Sequence, residues 1–383
     1  MTSAVSTDLH GTATVNTARC FTVGVEEEFV LVDPDSGEPA LTNTLVAAEP
    51  DVDLQLELSR CQIETCTPVC TSIPELHREI RRARAAAAAA AARTGSLMLA
   101  TGVPLREPPP GSITDTPRYQ RMAERFGVLA EQVICGCHVH IGVADRELAV
   151  QVSNHIRPWL PTLLALTANS PITAGADTGQ ASWRHRLWAR WPSAGPPPYF
   201  DSAAHYDEIV AELADSGRIL DPRMVYWDVR LSDHLPTIEI RISDVPATTT
   251  ETALLAALVR ALVSTSVAAV EKGWRAAPVD RTVLRAACDI AARRGLTGSR
   301  AGTRAGEPGP IQGPTAHLLG YLRPALEESG DYDFARAALA AVLAGGNGAV
   351  RQRDAHRAGD LRHVQDMLSH LTTEGCADEN AAR

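Results

Sequence analysis

The 383 residues carry 36 Lys and Arg against 46 Asp and Glu, a formal net charge of −10, with 45% hydrophobic and 21% charged residues. So acidic a balance excludes nucleic acid and anionic membrane as main partners, because both need a basic surface. The composition is that of a globular chain with one large domain or two, and no uninterrupted apolar run reaches the roughly 18–20 residues a bilayer demands.

Residues 1–19 are polar, lack the basic and apolar regions of a signal peptide, and read as a loose tail. Residues 373–383 read as a second tail, which leaves 20–372 as a single domain. The expected compartment is the cytoplasm, where thiols stay reduced. Cys61, Cys66, Cys70, Cys135 and Cys137 lie in strand-like apolar sequence and are expected to act as small buried residues. Cys135-Gly-Cys137 could suggest a metal, but no matching CxxC pair at zinc-finger spacing accompanies it.

Along the chain, residues 20–245 alternate strand and helix signals, and residues 248–372 are almost wholly helical. In Gly24-Val-Glu-Glu-Glu-Phe29 the period of two puts Glu26 and Glu28 on one face and Val25, Glu27 and Phe29 on the other. Asp33-Pro-Asp-Ser-Gly37 then marks a hairpin turn. Between Leu54 and Thr67 the apolar parity switches, from Leu54, Leu56 and Leu58 to Cys61 and Ile63. A strand changes faces only at a bulge or turn, so one break near Arg60 would bring Glu57 and Glu64 onto a common polar face. The alanine run from Arg82 to Ala92 strongly favours helix, and Leu76, Ile80 and Leu97 give it an apolar edge.

Gly136-Cys-His-Val-His-Ile-Gly142 sets His138 and His140 against Cys137, Val139 and Ile141. Asn169, after an apolar helix, suits a cap or a ligand equally. Gly195-Pro-Pro-Pro-Tyr-Phe200 reads as a rigid loop. Tyr226 to Arg230 pairs Asp228 with Arg230 against Trp227 and Val229, and Thr237 to Ile242 pairs Glu239 with Arg241 against three isoleucines. A Gly- and Pro-rich stretch at about 297–314 reads as a flexible loop within the helical half.

One face therefore gathers glutamates, histidines and arginines. A solvated sheet face is the plainest explanation, but such faces favour Thr, Lys, Gln and Ser, and lysine is almost absent here. Grouped carboxylates repel one another and would be driven to protonate unless a cation joins them. Oxygen-rich donors suit Mg²⁺ or Mn²⁺. The His138-x-His140 pair by itself would also suit zinc, or a mononuclear hydrolase or oxygenase.

Six segments in order carry a resemblance: Val23-Gly-Val-Glu-Glu-Glu-Phe-Val-Leu-Val-Asp33, Gln62-Ile-Glu-Thr65, Cys135-Gly-Cys-His-Val-His-Ile-Gly-Val143, Ala168-Asn-Ser-Pro-Ile172, Trp227-Asp-Val-Arg230 and Thr237-Ile-Glu-Ile-Arg-Ile-Ser-Asp244. From about Phe21 to Leu371 the chain resembles the glutamate–cysteine ligase type 2 family, the YbdK-like carboxylate–amine ligases. The resemblance implies an α+β fold shared with glutamine synthetase and the guanidino kinases. There a curved antiparallel sheet holds ATP and metals on its concave face, with helices on the convex side and a helical C-terminal half.

It implies metal ligands at Glu26, Glu28, Glu57, Glu64, His138 and Glu239, with Mg²⁺ (or Mn²⁺) as cofactor and ATP as co-substrate. Arg241 would grip the transferring phosphate, where a bidentate guanidinium suits developing charge. His140, Trp183, Arg184, Asp228 and Arg230 are expected to bind nucleotide or substrate. The implied reaction phosphorylates the γ-carboxylate of glutamate and lets an amine, cysteine by default, attack the acyl phosphate, with Glu28 as candidate base. Leu231 stands where the family usually has proline, and Asp289 replaces an aromatic or asparagine, so a different acceptor in specialised metabolism stays open. So do a phosphotransferase and a nucleotide-binding regulator of the same fold. The sequence does not fix the oligomeric state, a homodimer among the options.

Overall fold

The structure is a computed structural model that describes residues 21–296 and 313–376. The N-terminal tail, nearly all of the expected 297–314 loop and residues 377–383 lie outside the described residues.

The strands are β1 (Val23–Val32), β2 (Leu54–Leu56), β3 (Gln62–Cys66), β4 (Leu97–Leu99), β5 (Gly136–Gly142), β6 (Ile172–Thr173), β7 (Ala176–Asp177), β8 (Val229–Leu231) and β9 (Thr237–Asp244). Seven form one antiparallel sheet in the order β2-β3-β1-β5-β9-β8, with β4 also paired to β1, and β6 and β7 make a separate ribbon. The helices are α1 (Asn43–Ala47), α2 (Ile73–Arg93), α3 (Pro117–Phe126), α4 (Arg146–Ile156), α5 (Leu160–Thr167), α6 (Trp183–Trp188) and α7 (Ala203–Asp215). After β9 come α8 (Thr249–Glu271), α9 (Arg281–Arg294), α10 (Pro314–Glu328), α11 (Tyr332–Gly345), α12 (Gly348–Ala358) and α13 (Leu361–Thr373), the expected helical half.

Alternation decides how the sheet is used. Val25, Cys137, Val139, Ile141, Ile238, Ile240 and Ile242 point away from the polar face into one core with α4, α5 and α8. Helix α8 is long and apolar enough by composition to cross a bilayer, although Arg260 interrupts its apolar run. Here 78% of its most apolar window is buried inside the protein, and Arg260 is paired with Asp331. The seven described cysteines are free, and all but Cys66 are buried.

Two local expectations change. The segment from Leu54 to Thr67 is not one strand with a break but two, β2 and β3, which pair antiparallel with Gln55 opposite Glu64. The parity switch marks a full reversal of the chain, and Glu57, two residues beyond Gln55, still reaches the face of Glu64. At Tyr226 to Arg230, the strand begins only at Val229. Asp228 lies before it, its N–H donated to Gly195 O and its carbonyl accepting from the Arg241 N–H, so it does not share the exposure of Arg230. The Gly195–Phe200 loop is tied down at two carbonyls: Arg157 donates to Pro197 O and Arg281 to Pro196 O, at 3.0 and 2.7 Å.

Glu27 occupies the apolar side of β1 and needs a partner there. Arg84, the one charge on the buried edge of the alanine helix α2, supplies it through Nη2–Oε1 and Nε–Oε2 contacts of 2.6 and 3.0 Å. The other guanidinium donors reach Pro246 O, Ala247 O, Thr372 O and Thr252 Oγ1. Breaking such a pair from one side strands a buried charge and costs about 3–5 kcal/mol. Arg84→Met should therefore lower stability to denaturant by about that amount, and adding Glu27→Leu should restore part of it. A double variant no more stable than the single one would contradict this account.

Candidate active site

The polar sheet face floors a cavity of about 340 Å³, within the ordinary range for small-molecule sites. Glu26, Glu28, Glu57, Glu64, His138, His140, Arg230, Glu239 and Arg241 all line it, as does Arg184. The sheet register places them side by side: Glu28 is opposite Glu64, Glu26 opposite His138, and Glu239 opposite both His140 and Arg230. A register shift between Cys137 and Val139 leaves an extra residue on β9 beside His138.

The charges are unevenly paired. Glu239, 1% exposed, takes Arg230 at 2.7 Å and also contacts Arg241. Burial pushes its carboxyl up, but the two guanidinium groups hold it well below the usual range. Glu26 likewise resists burial because His138 Nδ1 and His140 Nε2 lie 3.1 and 3.3 Å from its oxygens. Glu28, Glu57 and Glu64 have no arginine or lysine within ion-pair distance among the described residues. Burial and the Glu28 charge push Glu57 up to about 8, and burial with Glu57, Glu26 and Glu28 pushes Glu64 well up. Burial and Arg241 lower His138, whereas Glu26 and Glu239 outweigh burial and raise His140.

Two expected residues are not brought to this cavity. Asp228 is fully buried outside it, with neither carboxylate oxygen hydrogen-bonded and its acidity weakened to about 7 by burial. Trp183 is half-buried at the first position of α6, and Trp188, one and a half turns further on, lines the cavity in its place. Asn169 is structural, its side chain donating to Ala100 O and Val245 O. Asp289 pairs with Arg186 at an exposed position and does not line the cavity. Among the lining residues missed from sequence are Gln62, Arg118, Tyr119, Trp188, Trp191, Arg223 and Tyr226. Gln62 was legible, since it shares the parity of Glu64. The aromatics arrive from helices and loops, where no period points at a sheet face.

This antiparallel sheet, with an acid-lined cavity on its polar face and helices behind it, is the class of fold expected from the sequence. The chain belongs to the glutamate–cysteine ligase family 2 (GCS2), whose family model matches residues 22–366. A Nocardia farcinica protein provisionally named glutamate–cysteine ligase 2-1 is 53% identical over 94% of this chain and 95% of its own. A Mycolicibacterium smegmatis protein provisionally named glutamate–cysteine ligase 2-3 is 49% identical over 93% and 99%. Among solved structures, the Francisella tularensis glutamate–cysteine ligase in complex with AMP matches with TM-score 0.69 and 13% identity, over 94% of this chain and 89% of that one. The Pasteurella multocida bifunctional glutathione synthetase matches with TM-score 0.66 and 14% identity, over 94% and 53%. The glutamate–cysteine ligase fold expected from the sequence is therefore the fold found.

The donor set fits a divalent cation. Ligand atoms of Glu26, His138 and Glu239 lie within 4.8 Å of one another, and so do those of Glu28, Glu64 and His138. His138 Nε2 is buried without a hydrogen-bond partner, and a proton on Nδ1 donated to Glu26 leaves its lone pair free to bind. A cation at hundredfold excess over its Kd adds about 2.7 kcal/mol of stability. Mg²⁺ or Mn²⁺ should thus raise Tm, EDTA should reverse the gain, and Glu28→Gln or Glu64→Gln should shrink it. Equal gains in wild type and both variants would place the ion elsewhere.

Proposed function

We propose that the protein is an ATP-dependent carboxylate–amine ligase that activates glutamate as a γ-acyl phosphate and couples it to an amine, cysteine being the default acceptor. The observation that carries this reading is the excess of carboxylates on the sheet floor of the cavity. Five glutamates converge there, while Arg230 and Arg241, the arginines paired within the cluster, both engage Glu239. The other lining arginines stand apart from it, Arg118 paired with Asp221, Arg223 with Asp233, and Arg184 on the inner wall. Such a floor suits a substrate that brings cations with it, as a nucleoside triphosphate does.

A divalent cation held by Glu26, Glu28, Glu57, Glu64, His138 and Glu239 would supply charge neutralisation for the phosphates and for the transferring group. The chain's own residues do the rest. Arg241 is buried beside Glu239, with its Nε unpaired, and meets the phosphoryl oxygens as charge builds on them. Arg230 is anchored by Arg223 O and Val225 O at 2.8 and 2.9 Å, so it holds Glu239 in place. Glu28 has one oxygen fixed by the Gly136 N–H at 2.6 Å and turns the other toward the incoming amine as proton acceptor.

Hydroxylamine tests the reaction directly, because it traps an acyl phosphate without needing the acceptor's own subsite. Protein, MgATP, glutamate and hydroxylamine should yield γ-glutamyl hydroxamate with matching ADP. Absence of hydroxamate with every common carboxylate, despite ATP binding, would favour a phosphotransferase or regulator. Arg241→Lys keeps the charge but loses the fork, so the loss should fall on kcat. A rise confined to the KM for ATP would reduce Arg241 to ground-state binding.

A further inference from the structure

Cys66, the last residue of β3, is half-buried, whereas the other six described cysteines are buried. The period of two sets it on the face of Glu64, and the ladder sets it opposite Glu26 of β1. Ligand atoms of Glu26, Glu64 and Cys66 lie within 4.8 Å of one another, and the sulfur stands 3.7 Å from Glu64 Oε1. A tetrahedral ion bound to one sulfur and one carboxylate oxygen holds them about 3.6 Å apart, so this pair needs almost no movement to share an ion. Glu64 is itself in want of a partner. It is 6% exposed, and among the described residues no N–H or O–H donates to it; its one donor is the Cys66 thiol. Across β1 a ring nitrogen of His138 lies within 4.8 Å of its ligand atom, and His138 Nε2 is buried without a hydrogen-bond partner.

The sulfur decides which ion this corner takes. Mg²⁺ and Mn²⁺ prefer oxygen, whereas a thiolate beside carboxylates suits a softer divalent ion such as Zn²⁺ or Cd²⁺. Burial and the charges of Glu64 and Glu26 hold the thiol protonated, which disfavours its oxidation or alkylation; a cation that binds here expels that proton. Gln55, opposite Glu64 on β2, donates from Nε2 to the sulfur at 3.4 Å and supports the thiolate the ion needs. The corner also shares its carboxylates with the rest of the floor. Glu26 belongs to the group with His138 and Glu239, and Glu64 to the group with Glu28 and His138. A soft ion in the corner thus draws one glutamate from each of the two places that suit Mg²⁺.

We propose that Glu26, Glu64 and Cys66 form a binding corner for a thiophilic divalent cation of the class of Zn²⁺ or Cd²⁺, and that such an ion silences the site by taking two carboxylates from the Mg²⁺ floor. The binding stands on the geometry alone, and the silencing rests on the ligase reading. One experiment titrates Cd²⁺ into the metal-free full chain and follows the near-ultraviolet charge-transfer absorption from sulfur to cadmium. Wild type should develop the band, Cys66→Ser and Cys66→Ala should lose it, Glu64→Gln should weaken it, and excess Mg²⁺ should suppress it. No band in wild type, or the same band in a Cys66 variant of wild-type Tm, overturns the corner. A band indifferent both to Mg²⁺ and to Glu64→Gln overturns the shared carboxylates. A second experiment adds Zn²⁺ to the hydroxylamine assay. Half-inhibition should need about tenfold more Zn²⁺ in Cys66→Ser than in wild type, the zinc-free rates should agree within about twofold, and added Mg²⁺ should relieve the wild type. Equal sensitivity of the two proteins overturns the silencing while the ligase reading stands. If wild type makes no hydroxamate, it is the ligase reading that fails, and the cadmium band with its Mg²⁺ competition still decides the corner.

Discussion

Three consecutive glutamates on a central strand pose a problem of parity, and the Glu27–Arg84 pair resolves it. A slip of one residue would turn Glu26 and Glu28 into the core and Glu27 into the cavity. Arg84 forbids that slip, because its guanidinium is fixed on the other side of β1 by carbonyls from the segment after β9 and from α13. The alanines around it on α2 keep that helix close to the sheet. One buried ion pair therefore joins β1, α2, α8 and the C-terminal helix, and aims the acidic face. Such pairs are weak sources of net stability. The role here is register.

With the register set, labour divides between sheet and helices. The sheet floor supplies oxygen donors and two arginines paired to one glutamate, a rigid array on strands rather than loops. The walls come from segments outside the sheet: α6 with Arg184 and Trp188, and α3 with Tyr119, whose hydroxyl donates to Leu56 O. Changes on the walls can alter what is bound without touching the floor. The departures at Leu231 and Asp289 leave the acidic cluster intact because neither lines the cavity: Leu231 packs into the core from β8, and Asp289 pairs with Arg186 at an exposed position on α9.

Much of the floor was legible because a strand's period of two converts sequence directly into facing. Glu26, Glu28, His138, His140, Glu239 and Arg241 follow from parity alone, and the switch near Arg60 correctly joined Glu57 to Glu64 even though the cause was a chain reversal. Asp228 failed the same rule. Parity holds only inside a paired strand, and Asp228 precedes the first paired residue of β8. Arg84 was invisible for a different reason: an arginine in a polyalanine helix reads as solvated until a buried carboxylate is known to face it. The substitution of Trp188 for Trp183 was beyond reach too, since a short helix reveals its exposed face only once its packing is known.

The placement of β1 has a consequence for how the chain is made. Among the described strands it is the first to be made, and it stands in the middle of the sheet, paired to β3 on one side and to β5 on the other, with β9 beyond. At ordinary elongation rates, roughly 10–40 s separate the completion of β1 from that of β9. β1 has its own ladder partners once β5 is made, but through the rest of that interval β5 lacks β9, and the carbonyls of Pro246, Ala247 and Thr372 that hold Arg84 opposite Glu27 are still missing. Nascent chains of this protein are thus most exposed to misassociation before residue 244 emerges, and slower growth temperatures or holding chaperones should matter more for yield than the final stability does.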